Sequence, residues 1–258
     1  MNILVCMKAV PSTGQVQVDG QFRLMRDGAK LQWNIADEAA LEAALQLKTR
    51  QEDTVTVLSM GPAKLEEAMR ELLARGADCA VLISDPAFAG ADTVATAKTI
   101  SLACNTLGGF DLILCGRRAI DGETGQVPGM LASALNIPCY TNAEKLESMG
   151  SLLQIRRILE DGTQSITVPF PVCVSLCEYT YTLRLPGIMG MRRAKNKTIE
   201  VLNKDALSIA PSHCGLKGSL TKVIAMDTKF PGLRKGPKEA DVDAGIHGIL
   251  SVIREVSV

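Results

Sequence analysis

Apolar side chains gather in four short runs: 2–7 (Asn-Ile-Leu-Val-Cys-Met), 54–60 (Thr-Val-Thr-Val-Leu-Ser-Met), 80–84 (Ala-Val-Leu-Ile-Ser) and 111–115 (Asp-Leu-Ile-Leu-Cys). Runs this short and this rich in branched residues predict strands covered on both faces, as in a parallel sheet. Between them the pattern has the period of a helix. Residues 37–50 carry Ala40, Leu41, Ala44, Leu45 and Leu47 on one stripe behind Asp37, a candidate N-cap. A second helix follows Gly61, with Pro62 near its first turn; it carries Leu65, Ala68, Met69, Leu72 and Leu73 and stops at Gly76. A third covers about 92–107 and ends at Gly108-Gly109.

Strands alternating with helices predict an α/β fold, a parallel sheet with helices on both faces. Beyond about residue 150 the pattern changes: 152–160 and 165–176 read as two strands of a β-hairpin turning at Glu160-Asp161-Gly162. The stretch 229–238 holds two prolines, two glycines and the cations Lys229, Arg234, Lys235 and Lys238, the composition of an extended arm. A final helix is expected over 239–256, with Val242, Ile246, Ile249, Leu250 and Ile253 on its apolar stripe. The expected division is an α/β domain over 1–200 with hairpin and a C-terminal extension over 201–258.

Composition narrows the function classes. The 258 residues are 47% hydrophobic, enough for a full core, and 28 basic side chains balance 28 acidic ones. No global field draws such a chain to nucleic acid or an anionic membrane. No apolar run reaches the roughly 18–20 residues of a membrane span, and Met-Asn-Ile-Leu-Val-Cys-Met-Lys has no leader pattern, so a cytoplasmic protein is expected. The eight cysteines form no C-x-x-C pair, and the two histidines have no ligand spacing; buried reduced thiols and no metal are expected.

In an open parallel sheet, ligands gather at the carboxyl ends of the strands. Three loops meet that condition: Lys8-Ala9-Val10-Pro11, Met60-Gly61-Pro62 and Gly116 to Gln126. The third runs Gly116-Arg117-Arg118-Ala119-Ile120-Asp121-Gly122-Glu123-Thr124-Gly125-Gln126-Val127-Pro128-Gly129 into a helical stretch ending near Asn136. Glycines let a backbone approach a ligand closely, and free N–H groups at a helix start suit phosphate. The spacing matches neither the dinucleotide fingerprint nor the P-loop, so an ordinary Gly-rich connection stays open.

The run Gly116 to Gln126 resembles the nucleotide loop of electron transfer flavoprotein β subunits. Met1 to Val10, Asn34 to Leu47 and Met60-Gly61-Pro62 follow in the family's order, and Arg157-x-x-x-Asp161-Gly162-Thr163-Gln164-x-Ile166-x-x-Pro169-x-Pro171-Val172 is similar to its signature. The resemblance implies a Rossmann-like nucleotide-binding layer and a heterodimer with an α subunit, passing electrons between a donor and a redox partner through flavin. Position by position it implies cofactor-binding roles for Cys6, Asn34, Ile35, Ala36, Asp37, Met60, Gly116, Arg117, Arg118, Ala119, Ile120, Asp121, Gly122, Glu123, Thr124, Gly125, Gln126 and Val127. It implies no catalytic side chain, because the flavin performs the redox chemistry. Two departures stand out: Asn34-Ile35-Ala36-Asp37 replaces the common Asn-Pro-Phe, and Arg118 replaces a common glutamine, adding a cation that could pair with Asp121.

Family members divide by ligand. Some hold AMP as a structural filler in the β subunit; electron-bifurcating members hold a second FAD there and receive hydride from NADH. Gly122 stands where AMP-binding relatives carry a bulkier residue, which favours FAD. The segment 183–197 resembles the family's recognition loop, with Ile188 as the apolar anchor for an acyl-CoA dehydrogenase or related partner and Leu185 and Met189 beside it; read without the family, it is a core strand and a basic turn. The stretch at 229–238 resembles the arm that embraces the α subunit. Two other classes remain to be separated: a stress-protein-like nucleotide-sensing module, and a nucleotide-dependent ligase or hydrolase, which the missing P-loop disfavours.

Overall fold

The computed structural model describes residues 1–12, 17–18, 24–25, 31–224 and 241–256. The chain opens with β1 (Asn2–Cys6). Two small antiparallel ladders follow, β2 (Ala9–Pro11) with β5 (Leu31–Trp33) and β3 (Gln17–Val18) with β4 (Leu24–Met25). Helices and strands then alternate: α1 (Ile35–Leu47), β6 (Thr54–Met60), α2 (Leu65–Arg75), β7 (Cys79–Ile83), α3 (Thr93–Thr106), β8 (Leu112–Gly116) and α4 (Val127–Leu135). After them come β9 (Cys139–Met149), β10 (Leu152–Leu159), β11 (Gly162–Pro169), β12 (Val172–Leu176), α5 (Ile188–Lys195), β13 (Glu200–Leu202), the short turn α6 (Gly215–Gly218) and α7 (Val242–Val256).

Among the described residues nine strands form one sheet, in the order β11-β10-β9-β12-β8-β1-β6-β7-β13. Neighbours from β9 through β13 are parallel, while β10 and β11 add an antiparallel edge. The predicted α/β sheet is therefore present. Consecutive side chains of β1 explain its unbroken apolar run: Ile3 and Val5 meet Leu41 of α1 and Met69 and Leu72 of α2 in one core cluster, whereas Leu4 joins Ile100 of α3 and Leu131 of α4 in the other. A strand buried on both faces is predominantly apolar; β6 and β12 of the same sheet each bury one serine, Ser59 and Ser175. No helix among the described residues is long and apolar enough to cross a membrane.

Several boundaries differ from expectation. α1 starts at Ile35 behind Asn34 and ends at Leu47, so Asp37 lies inside its first turn and is not the cap. The expected strand 165–176 is two strands of the one sheet, an edge and an interior one: Pro169 and Pro171 lack the N–H that a continuous ladder needs, so β11 stays antiparallel to β10 at the edge while β12 inserts between β8 and β9. β9 went unpredicted because Asn142, at φ 60°, and the register shift beside Ala143 interrupt its alternation. The compact units are Met1–Val223 and Ile224–Val258. The division at 200 would cut β13, which pairs with β7, so the boundary moves downstream. Within the second unit α7 is helical over Val242–Val256, and Val242, Ile246, Ile249, Leu250 and Ile253 are exposed. Lys229, Arg234, Lys235 and Lys238, on which the arm was expected, lie outside the described residues.

The segment 183–197 contains helix α5, not a core strand and turn. Gly190 lets α5 settle on the backbone of α2: a Cβ there would overlap the Ala74 carbonyl oxygen. Replacing Gly190 with valine is expected to destabilise the protein by about 1–3 kcal/mol through overpacking, measured as a lower urea midpoint at unchanged slope.

Candidate functional site

The chain runs outward from β1 to β6 and β7, then returns to place β8 on the other side of β1. Strand order reverses between β1 and β8, where the carboxyl ends of an open sheet leave a crevice. Asp37 occupies that point. One carboxylate oxygen, Oδ2, accepts the Lys8 N–H just beyond β1 at 2.8 Å, and Oδ1 accepts the Gly116 N–H at the end of β8 at 3.0 Å. A side chain at Gly116 would overlap both the Asp37 carboxylate and the Ala36 backbone, so this close approach requires glycine.

Three residues earlier, Asn34 is fully buried and holds the Gly-rich loop itself. Its Nδ2 donates to the Arg118 carbonyl at 3.0 Å, and its Oδ1 accepts the Ile120 N–H at 3.2 Å. A buried amide that uses both ends on one loop fixes that loop's path as a short strand partner would. Lys8 adds an ion pair from its Nζ to Asp121 Oδ1 at 2.6 Å. On the opposite side Glu178, just past β12, binds Arg117 at 2.9 Å and Arg118 at 3.2 Å. Where a pairing of Arg118 with Asp121 was expected, Arg118 pairs with Glu178, and Lys8 pairs with Asp121. Arg117 Nε is buried and has no hydrogen-bond partner among the described residues.

Beyond Asp121 the loop opens. Gly122, Glu123, Thr124, Gly125 and Gln126 are exposed, a Cβ on Gly122 would meet nothing within 4 Å, and Gly125 has φ +61°. Gln126 accepts a hydrogen bond from the Thr93 hydroxyl at 3.0 Å, tying the loop's end to the start of α3. Val127 then begins α4, whose first-turn N–H groups face the same edge of the sheet. Cys6 ends β1, Met60 ends β6, and Ile35 and Ala36 open α1 behind the Gly-rich loop. Cys6, Asn34 to Asp37, Met60 and Gly116 to Val127 therefore converge. A cavity of about 300 Å³ adjoins them, lined by Lys8, Ala9, Met60, Gly61, Pro62 and Leu65 among others. Lys8 lies in the first of the three loops expected at the strand ends, where no individual role was assigned to it; Glu178 was not among the expected site residues and had no local signal.

Leu185, Ile188 and Met189 lie apart from this crevice and are 83%, 81% and 64% exposed. Arg184 anchors their segment with three hydrogen bonds to Glu42 of α1, its Nη2 at 2.8 Å, its Nε at 2.9 Å and its backbone N–H at 3.1 Å. Arg75 of α2 donates to the Arg184 carbonyl at 2.6 Å.

Burial pushes the Asp37 carboxyl up to about 7, against the lowering effect of the Lys8 N–H, the Asn34 side chain, the Gly116 N–H and the Lys8 charge. The folded protein thus holds this proton more tightly than the unfolded chain, whose aspartates titrate near about 3.9. Stability from this group is full below that value and is lost as pH rises through about 7. Replacing Asp37 with asparagine leaves one of two N–H donors facing an amide N–H, at an expected cost of about 1–3 kcal/mol. Denaturant unfolding from pH 4 to 8 should show the wild type's advantage over Asp37→Asn shrinking as pH rises.

Comparison with known proteins fits this geometry. The profile described as "Electron transfer flavoprotein domain" matches residues 22–207. An electron transfer flavoprotein β subunit from Thermoanaerobacterium thermosaccharolyticum is 44% identical over 230 residues, 88% of this chain and 88% of the relative. A subunit of the caffeyl-CoA reductase–Etf complex of Acetobacterium woodii is 38% identical, with 86% of each chain covered. The acryloyl-CoA reductase electron transfer subunit gamma of Anaerotignum propionicum is 40% identical, again with 86% of each covered. The chain that braces its Gly-rich crevice with Asn34 and Asp37 belongs to the electron transfer flavoprotein family, among its β subunits.

Proposed function

We propose that this β subunit pairs with an electron transfer flavoprotein α subunit and holds FAD, not AMP, in the crevice between β1 and β8. The observation that carries the choice is Gly122, whose missing side chain leaves open space at the exposed part of the loop. The chemistry of the surrounding groups fits a dinucleotide. Arg117 brings a guanidinium with a buried, unpartnered Nε, and the N–H groups at the start of α4 suit phosphate oxygens. Thr124 and Gln126 add polar side chains at the rim, while Met60 and the backbone of Gly61 offer a flat apolar wall.

When bound, the flavin would supply the redox chemistry, accepting hydride from NADH and releasing single electrons to a high-potential and a low-potential acceptor. The chain's own residues bind and orient. Asn34 fixes the loop backbone, Asp37 holds the floor closed, and Lys8 presents a cation beside the apolar wall where an electron-rich ring would gain from it. None of these groups acts as a nucleophile or general acid in that scheme.

The names of the Acetobacterium woodii and Anaerotignum propionicum relatives associate them with reductases of CoA esters. An acyl-CoA dehydrogenase or related flavin dehydrogenase is accordingly the partner we assign to the exposed Leu185, Ile188 and Met189. Apolar anchors projecting beside Arg192, Arg193 and Lys195 suit a pocket rimmed by acidic groups. The eight free cysteines favour work in the reducing cytoplasm.

Two measurements test this reading. Acid extraction of the purified heterodimer should release two FAD per complex; one FAD with one AMP would reject the bifurcating version. Gly122→Val should keep the fold, since its side chain meets no protein atom, while lowering β-subunit nucleotide content severalfold. Separately, Ile188→Ala should raise KM for the dehydrogenase about tenfold or more at unchanged flavin content, the loss typical of an interface anchor. Loss of flavin from that variant would remove Ile188 from the docking surface.

A further inference from the structure

Four cysteines from four neighbouring strands share one face of the sheet. Cys6 of β1, Cys115 of β8, Cys173 of β12 and Cys139 of β9 form a row of neighbouring thiols, Cys6 beside Cys115, Cys115 beside Cys173 and Cys173 beside Cys139. All are free. Cys173 is completely buried, with its Sγ 3.7 Å from the Pro128 carbonyl oxygen, whereas Cys139 is partly exposed. Cys6 at the far end is partly exposed as well, so the two ends of the row reach solvent while Cys115 and Cys173 between them are buried; Cys139 is the exposed end next to Cys173.

Cys139 and Cys173 are also register partners on adjacent parallel strands. Neighbouring strands lie about 4.8 Å apart, within the roughly 4.4–6.8 Å between Cα atoms that a disulfide spans. Side chains at paired positions leave the sheet on the same face. The neighbouring Cys173 thiol holds the Cys139 thiol below its ordinary range despite partial burial, which raises the thiolate fraction at Cys139, while Cys173 itself is pushed up and stays a protonated thiol until it reacts. Cys79 is more exposed but has no thiol neighbour, which makes it the internal control for simple accessibility.

We propose that Cys139 and Cys173 are a peroxide-reactive pair, Cys139 meeting the oxidant and Cys173 resolving it into a disulfide. The Cys139 thiolate attacks one oxygen of hydrogen peroxide; an S–O bond forms, the O–O bond breaks, and hydroxide leaves, taking up the proton that Cys139 had released. The Cys173 sulfur then attacks the Cys139 sulfenic sulfur. An S–S bond forms, the S–O bond breaks, and the second hydroxide leaves with the Cys173 proton. In sum two thiols and one peroxide give one disulfide and two waters. This pairing rests on strand register and burial, and stands whichever nucleotide the crevice holds.

The test uses the heterodimer treated with hydrogen peroxide, quenched, unfolded in an alkylating reagent and mapped by mass spectrometry. Labelled thiols of this chain should fall from eight to six, with Cys139 and Cys173 joined in one cross-linked peptide. In Cys173→Ser the Cys139 sulfenic acid should persist and be trapped by a 1,3-dione probe. Retention of all eight labels, loss at Cys79 in place of Cys139, or oxidation of Cys139 with no cross-link to Cys173 in the wild type would each overturn the proposal.

Discussion

A carboxylate sealed beneath the crevice of a parallel sheet has few ways to be satisfied, and Asp37 adopts one that sets the rest of the site. Its two oxygens accept N–H groups from chain segments leaving two different strands, so β1 and β8 end at a fixed separation. The geometry demands glycine at 116, because any Cβ would enter the space the carboxylate fills. It also fixes the axial position of α1, since Asp37 reaches both N–H groups only from the first turn. Asn34 then comes to lie under the Gly-rich loop with its amide turned to Arg118 and Ile120. One helix start thereby shapes both the floor and the wall of the crevice.

Charge is arranged around that frame in separated pairs. Lys8 and Asp121 close one flank of the loop, Arg117 and Arg118 with Glu178 the other. Each pair joins a solvent-reaching cation to a largely buried carboxylate and so holds the loop's orientation. The section beyond Asp121, Gly122 to Gln126, is left to solvent and to whatever the crevice takes up.

Much of this was legible in the sequence where physical demand was strict. Strands buried on both faces are predominantly apolar and branched, so β1, β7 and β8 were visible as apolar runs and β6 as alternating Thr and Val running into Leu58. The Gly-rich loop stood out because close backbone approach has few alternatives to glycine. Other features depend on distant partners and left no local trace. Asp37 has the position and chemistry of a cap, and only the arrival of Lys8 and Gly116 gives its carboxylate other work. β9 carries polar residues because its far half faces solvent, and the irregularity beside Ala143 erased what alternation remained. In 183–197 apolar and basic residues suited a strand and a turn equally; the helix is decided by Gly190 against α2, a contact between segments more than 100 residues apart.

The buried Glu42 carboxylate joins Arg184 to the middle of the same helix whose first turn carries Asn34 and Asp37. α1 is therefore a strut with the crevice at one end and the exposed Leu185–Met189 segment braced against its side. Arg184 and Glu42 thus register the outer segment against the same helix that braces the Gly-rich loop, so both surfaces take their position from one element of the fold.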